Sequence, residues 1–207
     1  YKLGVDLPSE GRGFIPNAKF YNKIYGEGHW SANTIISVAI GQGEILATPL
    51  QIANLGATIA NRGYFITPHV VKGIQDTVMD EKLLEKRYPT VEAHYYNAVA
   101  DGMRTAVTGG TCRRAAIPGI EVCGKTGTAQ NPHGKDHSAF MGFAPYKDPK
   151  IAVAVYVEGG GWGATFGVPI GSLVMEKYLT GTIAPERRYM EEQMLNMTLY
   201  YAAPKKK

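Results

Sequence analysis

The chain has 207 residues, 44% of them hydrophobic, which suits one domain, or most of one, with a substantial buried core. Its 22 basic and 18 acidic residues leave a formal charge of +4 and a pI near 8.9, but they are scattered, so the long basic stripe that nucleic-acid binding usually requires is missing. No run approaches the ~18 apolar residues of a membrane-crossing helix, and Tyr1-Lys2-Leu3-Gly4 lacks a signal-peptide layout, so any anchor or export signal is expected outside this sequence.

From Tyr1 to about Glu44 the chain is rich in Gly, Pro, Asn and aromatic residues without sustained periodicity, which predicts loops and short turns. Thr48-Pro49 is a clean helix start, a hydroxyl before a proline at the first helical position. Leu50, Ile52, Ala53, Leu55 and Ile59 carry that helix to a stop at Asn61-Arg62-Gly63, and its nearly apolar composition predicts burial. After a short extended piece around His69-Val70-Val71, the residues Val91, Tyr95, Val99, Met103 and Val107 recur every four positions. They predict an amphipathic helix that ends at Gly109-Gly110.

A strand-rich section follows. Ile120 to Cys123, Ala139 to Ala144 and Ile151 to Val157 are short runs bounded by turn residues, and the link Tyr146-Lys147-Asp148-Pro149 makes the last two an antiparallel hairpin. After Gly159-Gly160-Gly161, residues Val168 to Leu179 read as a helix lying across the sheet. From Pro185 a polar helical segment carries Met190, Met194 and Met197 and reads as a peripheral appendage. The basic run Lys205-Lys206-Lys207, beside Pro204, reads as a solvated tail. Cys112 and Cys123 match no zinc pattern. They read as two small apolar residues, with pairing left open.

The stretch Gly124-Lys125-Thr126-Gly127-Thr128-Ala129 carries the chemistry and admits two readings. With Gly119 it satisfies G-x-x-x-x-G-K-[ST], the phosphate-binding loop of nucleotide hydrolases, and Val153 to Glu158 imitates that class's second motif. That reading demands a helix starting at Lys125-Thr126, which Gly127 and Pro132 oppose, while Ile120 and Val122 are β-formers rather than loop residues. The other reading is the K-T-G element of penicillin-recognising serine enzymes, which belongs on a strand. There Lys125 supplies a cation near an active serine, and the hydroxyls of Thr126 and Thr128 can bind a carboxylate. Gly127 admits the substrate backbone, and the amide of Thr128 faces a developing oxyanion.

The surroundings favour the second reading. Lys125 to Gln130, Asp136 to Pro145 and Ile151 to Gly160 resemble the motif strand and the next two strands of class B penicillin-binding proteins. Gly4-Val5-Asp6-Leu7-Pro8-Ser9-Glu10 and Ser37 to Gly43, leading into Ala47-Thr48-Pro49-Leu50-Gln51, are similar to segments between that family's second and third motifs. The resemblance covers about residues 1 to 180 and is closest to the elongation type, penicillin-binding protein 2, so residues 1 to 182 are taken as the C-terminal portion of a transpeptidase domain and 183 to 207 as an appendage and tail. It implies the penicillin-recognising α/β (α+β) fold, a mainly antiparallel sheet flanked by helices, with the N-terminal part of the domain missing.

The resemblance further implies a D,D-transpeptidase that cross-links D-Ala-D-Ala stem peptides of peptidoglycan through an acyl-serine and is acylated by β-lactams. It implies no metal or cofactor, a place at the outer face of the bacterial cytoplasmic membrane, and a membrane-embedded glycan polymerase as partner. A non-catalytic β-lactam-sensing or scaffold domain of the same fold is the alternative. The family's nucleophile lies in S-x-x-K, yet Ser9, Ser31, Ser37, Ser138 and Ser172 are followed three positions later by Arg12, Thr34, Ile40, Met141 and Met175. The nucleophile is therefore expected upstream of Tyr1, and this chain alone is expected to be inactive. Ser31-Ala32-Asn33 matches the second motif, S-x-N, only superficially. His137 reads as structural, and Trp162, exposed by its setting, reads either as a substrate contact or, in the favoured reading, as a loop aromatic packed on its own domain.

Overall fold

A computed structural model describes residues 1–199, so the expected basic tail lies outside the described residues. The chain divides into two compact units, Tyr1–Thr48 with Pro68–Met79, and Pro49–Thr67 with Asp80 onward.

The first unit holds two short helices where loops are expected from sequence, α1 (Ala18–Tyr25) and α2 (Ala32–Ala39). Local capping explains α1: the Asn17 side chain accepts from the Phe20 amide at 2.9 Å, satisfying a donor that the first helical turn leaves orphaned. Aromatic packing then holds it. Tyr21 is buried, with ring centroids of Phe20 and Trp30 at 5.4 and 5.6 Å, and its hydroxyl donates to Glu44 at 2.9 Å. Ser31 is the N-cap of α2, so Ser31-Ala32-Asn33 opens a helix. The piece around Val70 and Val71 is fixed by the Asp6 carboxylate, which accepts from both amides at 2.9 and 3.0 Å.

The second unit starts with α3 (Pro49–Ala60), whose bounds match the sequence signals. Arg62 explains the stop. Its backbone takes the left-handed conformation, φ 59°, and its guanidinium donates to the carbonyls of Ile59 and Ala60 at 3.2 and 2.7 Å. The helix is only half buried: Asn54, Thr58, Ile59 and Ala60 face inward while Leu50 and Leu55 remain exposed. A small ladder pairs β1 (Phe65–Ile66) with β2 (Lys86–Arg87), and α4 (Tyr95–Thr108) ends at Gly109 as expected. Its inward residues are Tyr96, Ala100, Met103 and Val107, whereas Val91, Tyr95 and Val99 are exposed, contrary to the single face expected.

The main sheet is antiparallel, in the order β3 (Cys123–Ala129), β4 (His137–Ala144), β5 (Ile151–Val157). Ile120 does not open β3: it closes a turn with Ile117 around Gly119, whose φ is +74°, and the chain joins the ladder only at Cys123. Helix α5 (Gly167–Thr180) lies over one face of the sheet. Phe140 explains how closely it can approach. The ring is 2% exposed, and a Cβ at Gly124, Gly142 or Gly171 would lie 2.4 to 2.6 Å from it, so three glycines make room for one large side chain.

Beyond α5 the chain makes a short 3-10 turn, Pro185–Arg187, and enters α6 (Arg188–Asn196), where Met190 is buried. Arg187 reaches back to Glu176 of α5 at 2.8 Å, with side-chain exposures of 8% and 2%. It also donates to the Ala116 carbonyl and the Ser172 hydroxyl, so one guanidinium ties the C-terminal turn and α5 to the segment that leads into β3.

Candidate active site

Lys125, Thr126, Gly127 and Thr128 sit in the middle of β3, an edge strand whose ladder partner among the described residues is β4 alone. Their register partners are Met141, Phe140, Ala139 and Ser138. Strand alternation places Lys125 and Gly127 on the face of Met141 and Ala139, and Thr126 and Thr128 on the face of Phe140 and Ser138. Cation and hydroxyls therefore flank the strand from its two faces, with the backbone edge away from β4 between them.

Lys125 is exposed, and its Nζ donates to the Thr126 carbonyl at 2.8 Å. The Thr126 hydroxyl lies 2.9 Å from that of Thr111, which follows α4. Thr128 Oγ1 accepts from the Gly163 amide at 3.3 Å. The lead-in to the strand is held by Arg104 of α4, which donates to the Val122 carbonyl at 3.0 Å. Thr111, Ser138 and Gly163 carry no motif of their own, so sequence reasoning did not place them at the site.

The bend after β5 crosses this strand. Gly159 N donates to His137 Nδ1 at 3.0 Å and Gly161 N to the Asp136 carbonyl at 2.7 Å, which gives His137 the structural part expected of it. Trp162 has the exposure its setting implies and not the packing favoured from sequence. Its side chain is not packed on its own unit but stands 75% exposed beside an open recess of about 370 Å³, shared with Lys135, Phe166 and Met197. The two cysteines are free thiols, both buried. Burial pushes the Cys112 thiol up from its ordinary value and that of Cys123 up to about 12.

This geometry overturns the phosphate-loop alternative. Lys125 and Thr126 lie within a strand, no helix starts there, and Gly119 sits in a separate turn. The imitation of the second nucleotide motif falls on β5, which is separated from β3 by β4. What remains is an edge strand bearing a cation and two hydroxyls, with β4 as its one ladder partner among the described residues, an arrangement that can bind an extended peptide and its carboxylate.

Residues 1–176 match the family model described as the penicillin binding protein transpeptidase domain. The chain belongs to that family. It is similar to the peptidoglycan D,D-transpeptidase MrdA of Haemophilus influenzae, 33% identical, in a match covering 90% of this chain and 32% of that protein. The MrdA protein of Acinetobacter baumannii is 34% identical over 79% of this chain and 27% of its own length. Among solved structures, Pseudomonas aeruginosa PBP2 in complex with WCK 5153 superposes with a TM-score of 0.71 at 33% identity, covering 87% of this chain and 40% of that one. Helicobacter pylori PBP2 in complex with MreC gives 0.71 at 30% identity, covering 87% and 33%.

The class B, PBP2-type assignment and the penicillin-recognising fold expected from the sequence therefore hold. The chain spans between about a quarter and a third of the length of these curated relatives, 32% and 27%. Among the described residues no helix is long and apolar enough to cross a membrane.

Proposed function

We propose that this chain forms the K-T-G wall of a peptidoglycan D,D-transpeptidase, whose nucleophilic serine is contributed by sequence outside these 207 residues. The observation that carries the reading is Lys125-Thr126-Gly127-Thr128 on an edge strand whose ladder partner among the described residues is β4 alone. No serine in the chain has a lysine three positions on, so the chain alone is inactive.

In the complete site the serine Oγ attacks the carbonyl of the penultimate D-Ala, and the terminal D-Ala leaves as the amine with a proton. An acceptor amine from another strand then attacks the acyl-serine carbonyl, forming the cross-link amide while the ester bond breaks and the serine Oγ takes up the proton the amine loses. Lys125 holds positive charge beside that oxygen. The hydroxyls of Thr126 and Thr128 bind the terminal carboxylate, and the Thr128 amide faces the oxyanion. Penicillin places a carboxylate and a strained amide in the same positions, which supports β-lactam acylation.

A structural neighbour bound to MreC, and another described as part of a peptidoglycan synthase complex that coordinates polymerization and crosslinking, support assembly with a membrane glycan polymerase at the outer face of the cytoplasmic membrane. The test is acylation by a fluorescent penicillin of a protein extended through an S-x-x-K segment. The extended protein labels, and Lys125→Gln lowers its acylation rate by about 100-fold, as loss of a preorganised charge at the reacting centre should. An extended protein that takes no label, or a Lys125→Gln variant that labels at the same rate, refutes the proposal.

A further inference from the structure

We infer that Ser138 is a positioning residue that acts through Gly163 to fix the hydroxyl of Thr128 for a substrate carboxylate; this rests on the transpeptidase reading above. Ser138 is fully buried on β4, directly opposite Thr128 in the register. Its Oγ lies 2.9 Å from the Trp162 carbonyl and 3.2 Å from that of Gly163, and it accepts from the Gly167 amide at 3.0 Å. One hydroxyl thus clips together the two ends of the bend that enters α5.

The clip presses the bend onto the motif strand. A Cβ at Gly163 would lie 2.5 Å from the Gly127 carbonyl oxygen and 2.6 Å from that of Ala139, distances that no real side chain tolerates. Only glycine permits this approach. At that distance the Gly163 amide donates to Thr128 Oγ1 at 3.3 Å. A threonine χ1 torsion has three staggered wells, and an amide donor at a fixed place favours the well that brings Oγ1 to it. A hydroxyl held in one well presents its proton in one set of directions, so carboxylate binding does not have to freeze that rotor.

Ser138 is separable from the rest of the loop. The Gly159 and Gly161 amides are anchored independently, on His137 and Asp136, so losing the Ser138 hydroxyl releases the Trp162–Gly163 bend without freeing the whole segment.

The experiment uses the extended protein and resolves penicillin acylation into a noncovalent dissociation constant and a maximal acylation rate. Ser138→Ala raises the dissociation constant by about ten-fold, the worth of one hydrogen bond to a charged group, and leaves the maximal rate within about two-fold. Thr128→Val raises it by itself, and Ser138→Ala in the Thr128→Val background adds nothing further, since the one acts through the other. The methyl ester of the same penicillin, lacking the carboxylate charge, reacts equally with wild type and Ser138→Ala.

Additive effects of the two substitutions, an unchanged dissociation constant, or an equal loss toward the ester overturn the proposal. Melting temperature is followed in parallel. If Ser138→Ala melts below the assay temperature, Ser138→Cys, close in volume and a weaker hydrogen-bonding group, gives the same test with a smaller rise, and no rise overturns the proposal. A wild-type protein that takes no penicillin at all removes the transpeptidase reading and this inference with it. Labelled wild type with an indifferent Ser138→Ala removes the inference alone.

Discussion

Cys112 and Cys123 flank the segment leading into β3, and both thiols are buried and free. Burial in apolar surroundings disfavours the thiolate, which raises the Cys123 value from 9.0 to about 12. The linkage sign follows: the folded chain keeps this proton where the unfolded chain has released it, so stability is full below pH 9 and falls as pH rises toward 12. We predict that denaturant midpoints decline between pH 9 and 11 and that Cys123→Ala flattens the decline, although a small cavity lowers its stability at neutral pH. An equally steep alkaline limb in the variant would show that another group carries it. At this scale residue type and spacing single out Lys125 and Thr128 as candidates and put them on a strand, which is where the structure has them. The sequence was silent on Ser138 and Gly163, because a buried serine and a loop glycine acquire their meaning only from the backbone atoms they meet in space.

Among the elements, α3, β4, β5 and α5 were legible because each is bounded by strong stop signals and packs with its own periodicity. The face of α4 was not. The helix starts at Tyr95 rather than Val91, and a four-residue spacing advances about 40° beyond a full turn at each step, so the series from Tyr95 to Val107 winds around the helix and leaves Tyr95 and Val99 outside while Met103 and Val107 point in. The start of β3 was also misplaced, since Ile120 pairs back to Ile117 across the turn at Gly119 and the chain joins β4 only from Cys123. How that strand is held suggests a prediction. Arg187 and Glu176 form a buried ion pair that also engages Ser172 and Ala116, so the lead-in to β3 depends on a charge seated in the core. Arg187→Met strands the Glu176 carboxylate and lowers unfolding free energy by about 3–5 kcal/mol. Replacing both residues by methionine costs less than Arg187→Met alone, because no unpaired charge remains. Urea denaturation of the two variants decides this, and a double variant no more stable than the single would contradict it.

For the molecule as a whole, the distribution of apolar surface and of chemistry points the same way. Leu50 and Leu55 on α3, and Tyr95 and Val99 on α4, leave apolar side chains in solvent that two packed helices of a closed core would cover. The motif strand presents cation, hydroxyls and amides at an open edge, yet none of the chain's serines has the lysine neighbour that would make it a nucleophile. These features agree if the catalytic constellation is divided between this sequence and another segment that also covers those helix faces. We therefore predict that the 207-residue chain forms no covalent adduct with a fluorescent penicillin that survives denaturation, while the extended protein does. The same comparison tests the surface: a dye that fluoresces on exposed apolar patches should bind the short chain more strongly than the extended one. A covalent adduct on the short chain would place the nucleophile on one of Ser9, Ser31, Ser37, Ser138 or Ser172, and peptide mapping of the adduct would identify which. Ser138 and Ser172 are fully buried, so a labelled residue would have to be one of the three in the first unit, and the lysine-assisted mechanism would not apply to it.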